Sequence, residues 1–310
     1  MASTRRFQDV RYIRISLVIS PVSHLCKPTS SPVSPCPKPT PSSIGGVIAR
    51  NLLSEGIAVR ALARNPDSPA AKALSAIDTF ITPGDYDDDA ALTEAMKGVT
   101  GAFLKLTPNF VDHNWELKAA KRIMAAAKEA GASHFIYSSG LAVQAPELLK
   151  HWDPNSFTAM VLLSKQPIEK ETRKAGFKNW TTLRPGSFAA NYLLPLVAVY
   201  PDLVKDGRFI TALRPENKIP MTDPNDIGKF ALAAFQDPFK FNSKEVAISS
   251  ELLTVDDIMA KIAKVTGRDI KAVHLSDEEV EAQKAGNPFI AVQLTARDMD
   301  QFSDVEKTQS

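Results

Sequence analysis

Between Gly45 and Leu183 the sequence alternates short apolar segments with longer amphipathic ones, and this alternation limits the possible folds more than any other feature. The short segments are predicted strands, and the longer segments repeat apolar residues at helical spacing. Such alternation is typical of a parallel sheet covered by helices on both faces. The predicted helices are residues 45–55, 90–97, 115–130 and 164–175, and the predicted strands are 57–63, 80–81, 101–106, 134–139 and 180–183.

The regular alternation ends near residue 186. Further helices are predicted at 224–235, 254–265 and 276–285, with one strand at 245–248. We therefore predict an α/β fold in which a doubly wound parallel sheet at 44–190 precedes a smaller lobe at 191–310. That lobe would take a substrate or a partner protein. Its polar tail after Thr295 is expected to fray.

Residues 1–43 form an atypical segment rich in proline and serine. Within it, residues 11–20 have the composition of a strand, whereas 27–43 contain six prolines: Pro28, Pro32, Pro35, Pro37, Pro39 and Pro41. Proline fixes φ and lacks a backbone donor, so that stretch is neither a helix nor a central strand. The arginine- and serine-rich start has some features of a mitochondrial transit peptide, whereas an apolar run ending at Pro21 disfavours a secretory signal.

Composition excludes several classes of protein. The 37 Lys and Arg nearly balance the 35 Asp and Glu, and no basic run suggests a nucleic-acid partner. No apolar stretch reaches the roughly 20 residues that span a bilayer. Two cysteines fit a reducing compartment, and five scattered histidines show no ligand spacing, so we expect a cytoplasmic protein without a metal site.

A glycine pair precedes the predicted helix at 45–55. Dinucleotide sites use a tight glycine turn followed by a helix whose N-terminus faces the pyrophosphate. Gly45 and Gly46 stand at that place, although a glycine pair alone is equally typical of an ordinary helix start. The residues predicted to face the phosphates are Ser42, Ser43, Ile44 and Gly45.

Arg64 follows the predicted strand at 57–63, about 20 residues beyond the glycine pair, the usual distance of a ribose-recognition residue. Enzymes that prefer NAD place an acid there, and enzymes that prefer NADP place an arginine. A guanidinium group matches a 2′-phosphate through two hydrogen bonds. The sequence therefore predicts NADP(H), bound by Arg64 and Asn65, with a solvated surface arginine as the alternative. Arg60 is the weaker candidate because it lies within the strand.

These features, together with later motifs in the same order, resemble the NmrA-like branch of the short-chain dehydrogenases and reductases. The resemblance covers about residues 43–287 and implies that 44–190 is an NAD(P)-binding Rossmann domain. Its motifs are G-G-x-x-A-R-x-L-L at 45–53, R-N-P at 64–66, G-D-Y-D-D at 84–88, I-Y-S-S-G at 136–140, Ser164-Lys165, L-R-P-G-S-F-A-A-N at 183–191, I-P-M at 219–221 and D-I-G at 226–228.

The chain departs from the family pattern G-x-T-G-x-x-G-G at the phosphate turn. In register, the two earlier glycines fall on Pro39 and Ser42, and the threonine falls on Pro41. Side chains there occupy space that the phosphates need, and proline removes a donor. One hypothesis is that a mis-spliced or mispredicted N-terminus has removed the first strand, so that the chain binds nothing. The other is that residues 11–20 supply this strand before a proline-rich insertion, although such long loops are unusual.

The resemblance implies further cofactor contacts at the ends of later strands. An aspartate and a tyrosine would lie beside the adenine, and the backbone after the fourth strand would pass the ribose. A helix lysine matches one that contacts the cofactor in family members, with an ordinary surface lysine as the alternative. These residues are Asp85, Tyr86, Leu106, Thr107 and Lys118, with Phe188 and Asn191 on the nicotinamide side.

Lys165 matches the lysine that short-chain dehydrogenases place four residues after a tyrosine, but Val161 stands where the tyrosine would be. In the family that lysine holds the nicotinamide ribose. Ser138 or Ser139 matches the serine at the end of strand five, and Tyr137 is expected to pack. We therefore expect an NADPH-dependent oxidoreductase, with catalytic Lys165, for an unidentified small organic substrate of secondary metabolism. The alternative is a non-catalytic NADP(H) sensor that binds a partner protein.

Overall fold

The computed structural model describes residues 14–19, 44–109, 111–193, 196–284 and 286–303. The strands in these ranges are β1 (Arg14–Ile19), β2 (Ala58–Ala63), β3 (Phe80–Pro83), β4 (Gly101–Lys105), β5 (His134–Ser138), β6 (Asn179–Pro185), β7 (Ser187–Phe188), β8 (Arg208–Thr211), β9 (Ile219–Thr222), β10 (Lys244–Ile248), β11 (Glu251–Leu253) and β12 (Lys271–His274). The helices are α1 (Ile44–Ser54), α2 (Pro69–Ser75), α3 (Asp89–Met96), α4 (Trp115–Glu129), α5 (Phe157–Lys174), α6 (Pro201–Asp206), α7 (Pro224–Gln236), α8 (Pro238–Phe241), α9 (Val255–Thr266), α10 (Asp277–Lys284) and α11 (Pro288–Thr295). None of these helices is long and apolar enough to cross a bilayer.

A seven-stranded parallel sheet in the order β10-β6-β5-β4-β1-β2-β3 forms the centre of the molecule. Its two faces are covered by different helices. On one face, α3, α4 and α5 bury residues such as Leu92, Ile123 and Ile168. On the other face, α1 and α7 bury residues such as Ile48 and Ile227. The predicted doubly wound fold is therefore confirmed.

Strand β1 occupies the central place in this sheet. Ile15 pairs with Val59 of β2 on one side and with Gly101 of β4 on the other, and its side chain is fully buried. The hypothesis that the sheet lacks its first strand is therefore wrong. The segment R-I-S-L-V-I is rich in the apolar and β-branched residues that favour strands, and its backbone pairs with that of both neighbours.

The regions on either side of the predicted 44–190 domain also contribute to the main sheet. Segment 1–43 supplies β1, and the lobe predicted at 191–310 supplies helix α7 and edge strand β10, which pairs with β6. The rest of that lobe supplies β8, β9, β11 and β12. These strands form two small sheets, β12-β8 and β11-β9-β7, the second of which also contains β7 from the end of the 44–190 region.

The polar tail after Thr295 is more ordered than its composition suggests. Residues 296–302 form a 3-10 helix, in which Arg297 Nε donates a 2.9 Å hydrogen bond to the carbonyl of Ala212. Met299 and Phe302 pack against a small apolar cluster around Leu149. The expectation of fraying is therefore wrong up to Ser303, because two apolar side chains and an arginine anchor the segment. Residues 304–310 lie outside the described ranges.

The helix predicted at 164–175 begins earlier, at Phe157. Its N-terminus is fixed by Ser156, whose Oγ accepts a 3.1 Å hydrogen bond from the backbone N–H of Ala159. An N-terminal serine cap of this kind is visible in the sequence, so this boundary was available to sequence reasoning.

Gly186 joins the main sheet to the small sheet beside it. Its N–H donates to Thr222 Oγ1 at 2.8 Å, and a Cβ at this position would lie 2.3 Å from the carbonyl oxygen of Pro220. We expect Gly186→Ala to lower the free energy of unfolding by about 1–3 kcal/mol, because backbone must move to admit the methyl group. Urea unfolding measures this change. Gly140→Ala is the matched control, since a Cβ there meets nothing closer than 3.8 Å, and equal stability of the two variants would contradict the prediction.

Candidate active site

The carboxyl ends of the parallel strands meet at one edge of the sheet. The chain order reverses between β1 and β4, where Ile19 and Lys105 are in register. Ligands of open α/β sheets bind outside the strand ends at such a switch point. Helix α1 runs back across the sheet, so its N-terminus at Ile44 faces the same edge. Ile44 and Phe188 are half-buried there and pack against the same apolar cluster.

The phosphate turn itself is only partly covered by the structure. Gly45 and Gly46 are buried in the first turn of α1, at the positive end of the helix dipole. Ser42 and Ser43 lie outside the described residues, as do Pro39 and Pro41. The predicted contacts of this turn with the phosphates therefore stay predictions.

The structure brings Arg64 and Asp85 together at the ends of β2 and β3. Arg64 Nε lies 3.9 Å from Asp85 Oδ2, and the two side chains are 32% and 40% exposed. At this distance and exposure the pair is weak, so the guanidinium group can turn towards a ligand. Asn65 is exposed, and its Oδ1 accepts a 2.9 Å hydrogen bond from the N–H of Asp67, which shapes the turn after Arg64.

Arg60 has a structural role. Its Nη2 lies 2.8 Å from Glu94 Oε1, and its guanidinium carbon lies 4.2 Å from the centre of the Phe80 ring. These contacts hold α3 against β2 and β3. They agree with the sequence argument that Arg64 is the better candidate for a 2′-phosphate.

The side chain of Tyr86 is buried in the core. It is 4% exposed and meets the ring of Trp115 edge-on at 5.6 Å, within the apolar core. Burial of the ring leaves the backbone of Tyr86 as the part that can face a ligand, and the predicted place beside the adenine stays a prediction. Asp85 Oδ1 accepts a 2.8 Å hydrogen bond from the Tyr86 N–H.

Lys165 lies at the same edge in a buried ion pair. Its Nζ is 3.2 Å from Glu116 Oε1 and 3.5 Å from the carbonyl oxygen of Leu106. Ser164 Oγ donates to the second oxygen of Glu116 at 2.5 Å. Lys165 and Glu116 are 8% and 1% exposed, so their charges interact through a medium of low polarity. Helices α4 and α5 thus hold the ammonium group in a fixed position.

A second lysine, Lys105, is the last residue of β4. Its Nζ donates to Thr107 Oγ1 at 3.2 Å. Burial and the Lys165 ammonium group lower the pKa of Lys105 to about 8, against the opposing effect of Glu116. Two ammonium groups therefore lie at the carboxyl end of β4, that of Lys105 beside Thr107 and that of Lys165 beside the Leu106 carbonyl.

The remaining predicted contacts divide into buried and exposed residues. Leu106 is 1% exposed, so only its backbone can face a ligand, whereas Thr107 and Asn191 are half-buried. Lys118 is 68% exposed and lies 3.2 Å from Asp112 Oδ2, the geometry of a surface ion pair. Nothing in these positions tests the predicted cofactor contacts directly.

The residues described at the end of β5 are all buried. Tyr137 is completely buried, and burial, followed by the charges of Glu116 and Glu169, raises its pKa well above the usual value. The expectation that Tyr137 packs is confirmed. Ser138 and Ser139 are also buried.

Glu116 and Lys105 were not identified from the sequence. The available signal for Lys105 was a charged residue within the apolar run G-A-F-L-K-L at 101–106. The pairing of Glu116 with Lys165 had no local signal, since the two residues are 49 positions apart in the chain.

A surface cavity of about 460 Å³ lies in the C-terminal lobe, away from the predicted cofactor residues. Its lining is strongly charged, and Asp277 pairs with both Arg214, at 3.0 Å, and Arg297, at 3.5 Å. None of the predicted site residues lines this cavity. It is therefore separate from the edge at which Arg64 and Lys165 lie.

The profile of the NmrA-like family matches residues 42–310. The chain belongs to the NmrA-like family. It is 27% identical over 245 residues to the NmrA-like family domain-containing oxidoreductase FrzB of Cladobotryum sp, an alignment that covers 72% of this chain and 70% of that protein. The similarity to this relative supports an oxidoreductase function for the chain.

Solved structures of other proteins share the fold. The NADPH-dependent quinone oxidoreductase of Escherichia coli, complexed with NADPH, superposes with a TM-score of 0.67 at 21% identity and covers 95% of this chain and 92% of its own. NmrA, a negative transcriptional regulator, superposes with a TM-score of 0.64 at 20% identity, covering 96% of this chain and 84% of its own. Both an enzyme and a regulator are therefore built on this fold.

Proposed function

We propose that this protein is an NADPH-dependent oxidoreductase that reduces a small organic substrate, with Lys165 as a catalytic residue. The observation that carries the proposal is the buried Lys165–Glu116 pair at the switch point of the sheet. A buried, oriented ammonium group at this edge is suited to act on a bound substrate. The oxidoreductase relative supports the same reading. A role in secondary metabolism and a cytoplasmic location remain predictions.

The described residues fit a phosphorylated dinucleotide. The N-terminus of α1 would face its pyrophosphate, Arg64 would hold the 2′-phosphate, and the backbone at Leu106 would pass its ribose. Because the cation at Arg64 selects a phosphate over a free hydroxyl, we propose NADP(H) rather than NAD(H). When bound, this cofactor supplies the hydride.

The protein's own residues would orient the substrate and move the proton. Glu116 and the Leu106 carbonyl fix the Lys165 ammonium group, so that it can donate a hydrogen bond and then a proton to the substrate. Val161, half-buried one turn earlier on α5, offers no hydroxyl for this purpose. The lysine therefore acts without the tyrosine that short-chain dehydrogenases use.

The missing tyrosine also favours a second function, a dinucleotide sensor that binds NADP(H) and then a partner protein. Assays of NADPH oxidation with a quinone acceptor such as menadione separate the two functions. Turnover above the protein-free blank supports the reductase. Saturable NADPH binding without oxidation by quinone, enone or azo acceptors would contradict the reductase and support the sensor.

Arg64 provides the test of cofactor preference. We expect Arg64→Ala to weaken NADPH binding by about 10- to 100-fold while NADH binding stays unchanged, because one or two charge-assisted hydrogen bonds to the 2′-phosphate are lost. Titration followed by cofactor fluorescence gives both dissociation constants. Arg208→Ala, at an exposed arginine of β8, is the matched control. Equal affinity of the unmutated protein for the two cofactors would show that the preference is absent.

A further inference from the structure

A cavity of about 120 Å³ lies in the C-terminal lobe, where the start of α6, strand β8 and helix α11 meet. Apolar side chains form much of its wall, among them Tyr200, Phe289 and Ile290. The ring centres of Tyr200 and Phe289 are 6.0 Å apart, and Ile290 is fully buried. An apolar cavity of roughly 150 Å³ is large enough for benzene, so a cavity of this size that is open to the surface has room for a single ring.

Gln293 is a buried polar residue in the wall of this cavity, with 7% of its surface exposed. Its Oε1 accepts hydrogen bonds from the Ala212 N–H at 2.6 Å and from Thr211 Oγ1 at 3.0 Å. Because a backbone N–H can only donate, these contacts fix which end of the amide is the oxygen. The Nε2 end donates to none of the residues that the structure describes. A buried donor without an acceptor costs stability, and in the wall of a cavity it indicates a ligand oxygen.

The charges around the cavity favour a neutral ligand. Asp202 and Arg208 are the charged residues in the described part of its lining, and both are exposed. Their opposite charges balance, and the donor of Gln293 is an uncharged amide. A carbonyl oxygen therefore suits this donor better than a carboxylate, whose charge would be taken out of water without a buried cation.

We propose that this cavity is a second binding site, which takes a one-ring aromatic compound with a neutral carbonyl oxygen. The ring packs against Tyr200 and Phe289, and the oxygen accepts a hydrogen bond from Gln293 Nε2. The inference goes beyond the proposed function, since none of the predicted cofactor or catalytic residues lines the cavity.

Acetophenone and ethylbenzene, titrated without NADPH, test the role of the Gln293 amide. The two compounds have the same shape and differ by the carbonyl oxygen. Gln293→Glu keeps an acceptor for the Ala212 N–H and removes the Nε2 donor, so it should weaken acetophenone binding by about tenfold more than ethylbenzene binding. Gln293→Met, which brings no charge, should show the same selectivity. Gln283→Glu, at an exposed glutamine of α10, is the charge-matched control and should change neither Kd.

NMR spectra of the ¹⁵N-labelled protein give each Kd and locate the ligand. The side-chain amide signal that disappears in Gln293→Glu belongs to Gln293, and acetophenone should shift it. Ile210 is half-buried in the cavity wall, and Ile210→Phe, which suits a strand and fills the space, should abolish binding of both compounds.

Three results would overturn the inference. They are no binding of acetophenone to the unmutated protein, an equal effect of Gln293→Glu on the two compounds, and normal binding in Ile210→Phe. The proposed reductase function is tested separately by NADPH oxidation. A protein that binds acetophenone through Gln293 and does not oxidise NADPH would refute the proposed function alone.

Discussion

Replacement of Lys165 by alanine should lower kcat for NADPH oxidation by about 10²- to 10⁴-fold, the usual contribution of a positioned general acid. The reason is geometric. Glu116 and the Leu106 carbonyl hold the ammonium group at the switch point, and Val161 cannot substitute as a proton donor. NADPH affinity should change much less than kcat, because the phosphates and the adenine end bind elsewhere.

The substitution also removes the partner of a buried carboxylate, so loss of folding must be distinguished from loss of chemistry. Lys165→Ala leaves Glu116, only 1% exposed, without its ion pair, which is expected to lower the Tm. The double variant Lys165→Met/Glu116→Gln removes both charges and should recover the Tm but not kcat. Lys170→Ala, at an exposed lysine of the same helix, is the control for activity. Turnover that survives in Lys165→Ala would show that the lysine is structural.

Replacement of residues 20–43 by a short G-x-T-G-x-x turn should raise NADPH affinity by about tenfold or more for each phosphate contact restored. In register with the family pattern, Pro39, Pro41 and Ser42 stand where glycines and a threonine would approach the phosphates. Glycine leaves space for the pyrophosphate, and each proline removes a backbone donor. We therefore expect weak binding by the present chain.

The position of β1 separates the effect of the turn from the effect of the strand in this experiment. Since Arg14–Ile19 already pairs with β2 and β4, the gain should come from the turn alone. A variant that also exchanges residues 14–19 for another regular strand should bind NADPH no better than the turn variant. Isothermal titration of all three proteins gives the comparison. Tight binding by the present chain, with no gain from the new turn, would show that the proline-rich segment is itself a competent phosphate loop.

The sequence alone predicted the doubly wound parallel sheet and proposed several site residues. Apolar periodicity placed most of the central helices and strands close to their observed bounds, because side chains that face a core recur at the spacing of the local backbone. The exception is α5, which begins at Phe157 and not at residue 164. Arg64 and Lys165 followed from spacing and from family resemblance. Arg64 lies at the carboxyl edge because it directly follows β2, and Lys165 reaches this edge from α5, beside the Leu106 carbonyl.

Only the tertiary structure decided which groups meet across the sheet. The pattern of Arg14–Ile19 allowed a strand, but its central place depended on pairing with two distant strands. Tyr86 matched a cofactor motif, yet its ring is buried against Trp115. The meeting of Glu116 and Lys165 depends on how α4 and α5 pack against each other over the sheet. Local sequence patterns report the face on which a residue lies, whereas contacts between distant residues are set by the packing of whole elements.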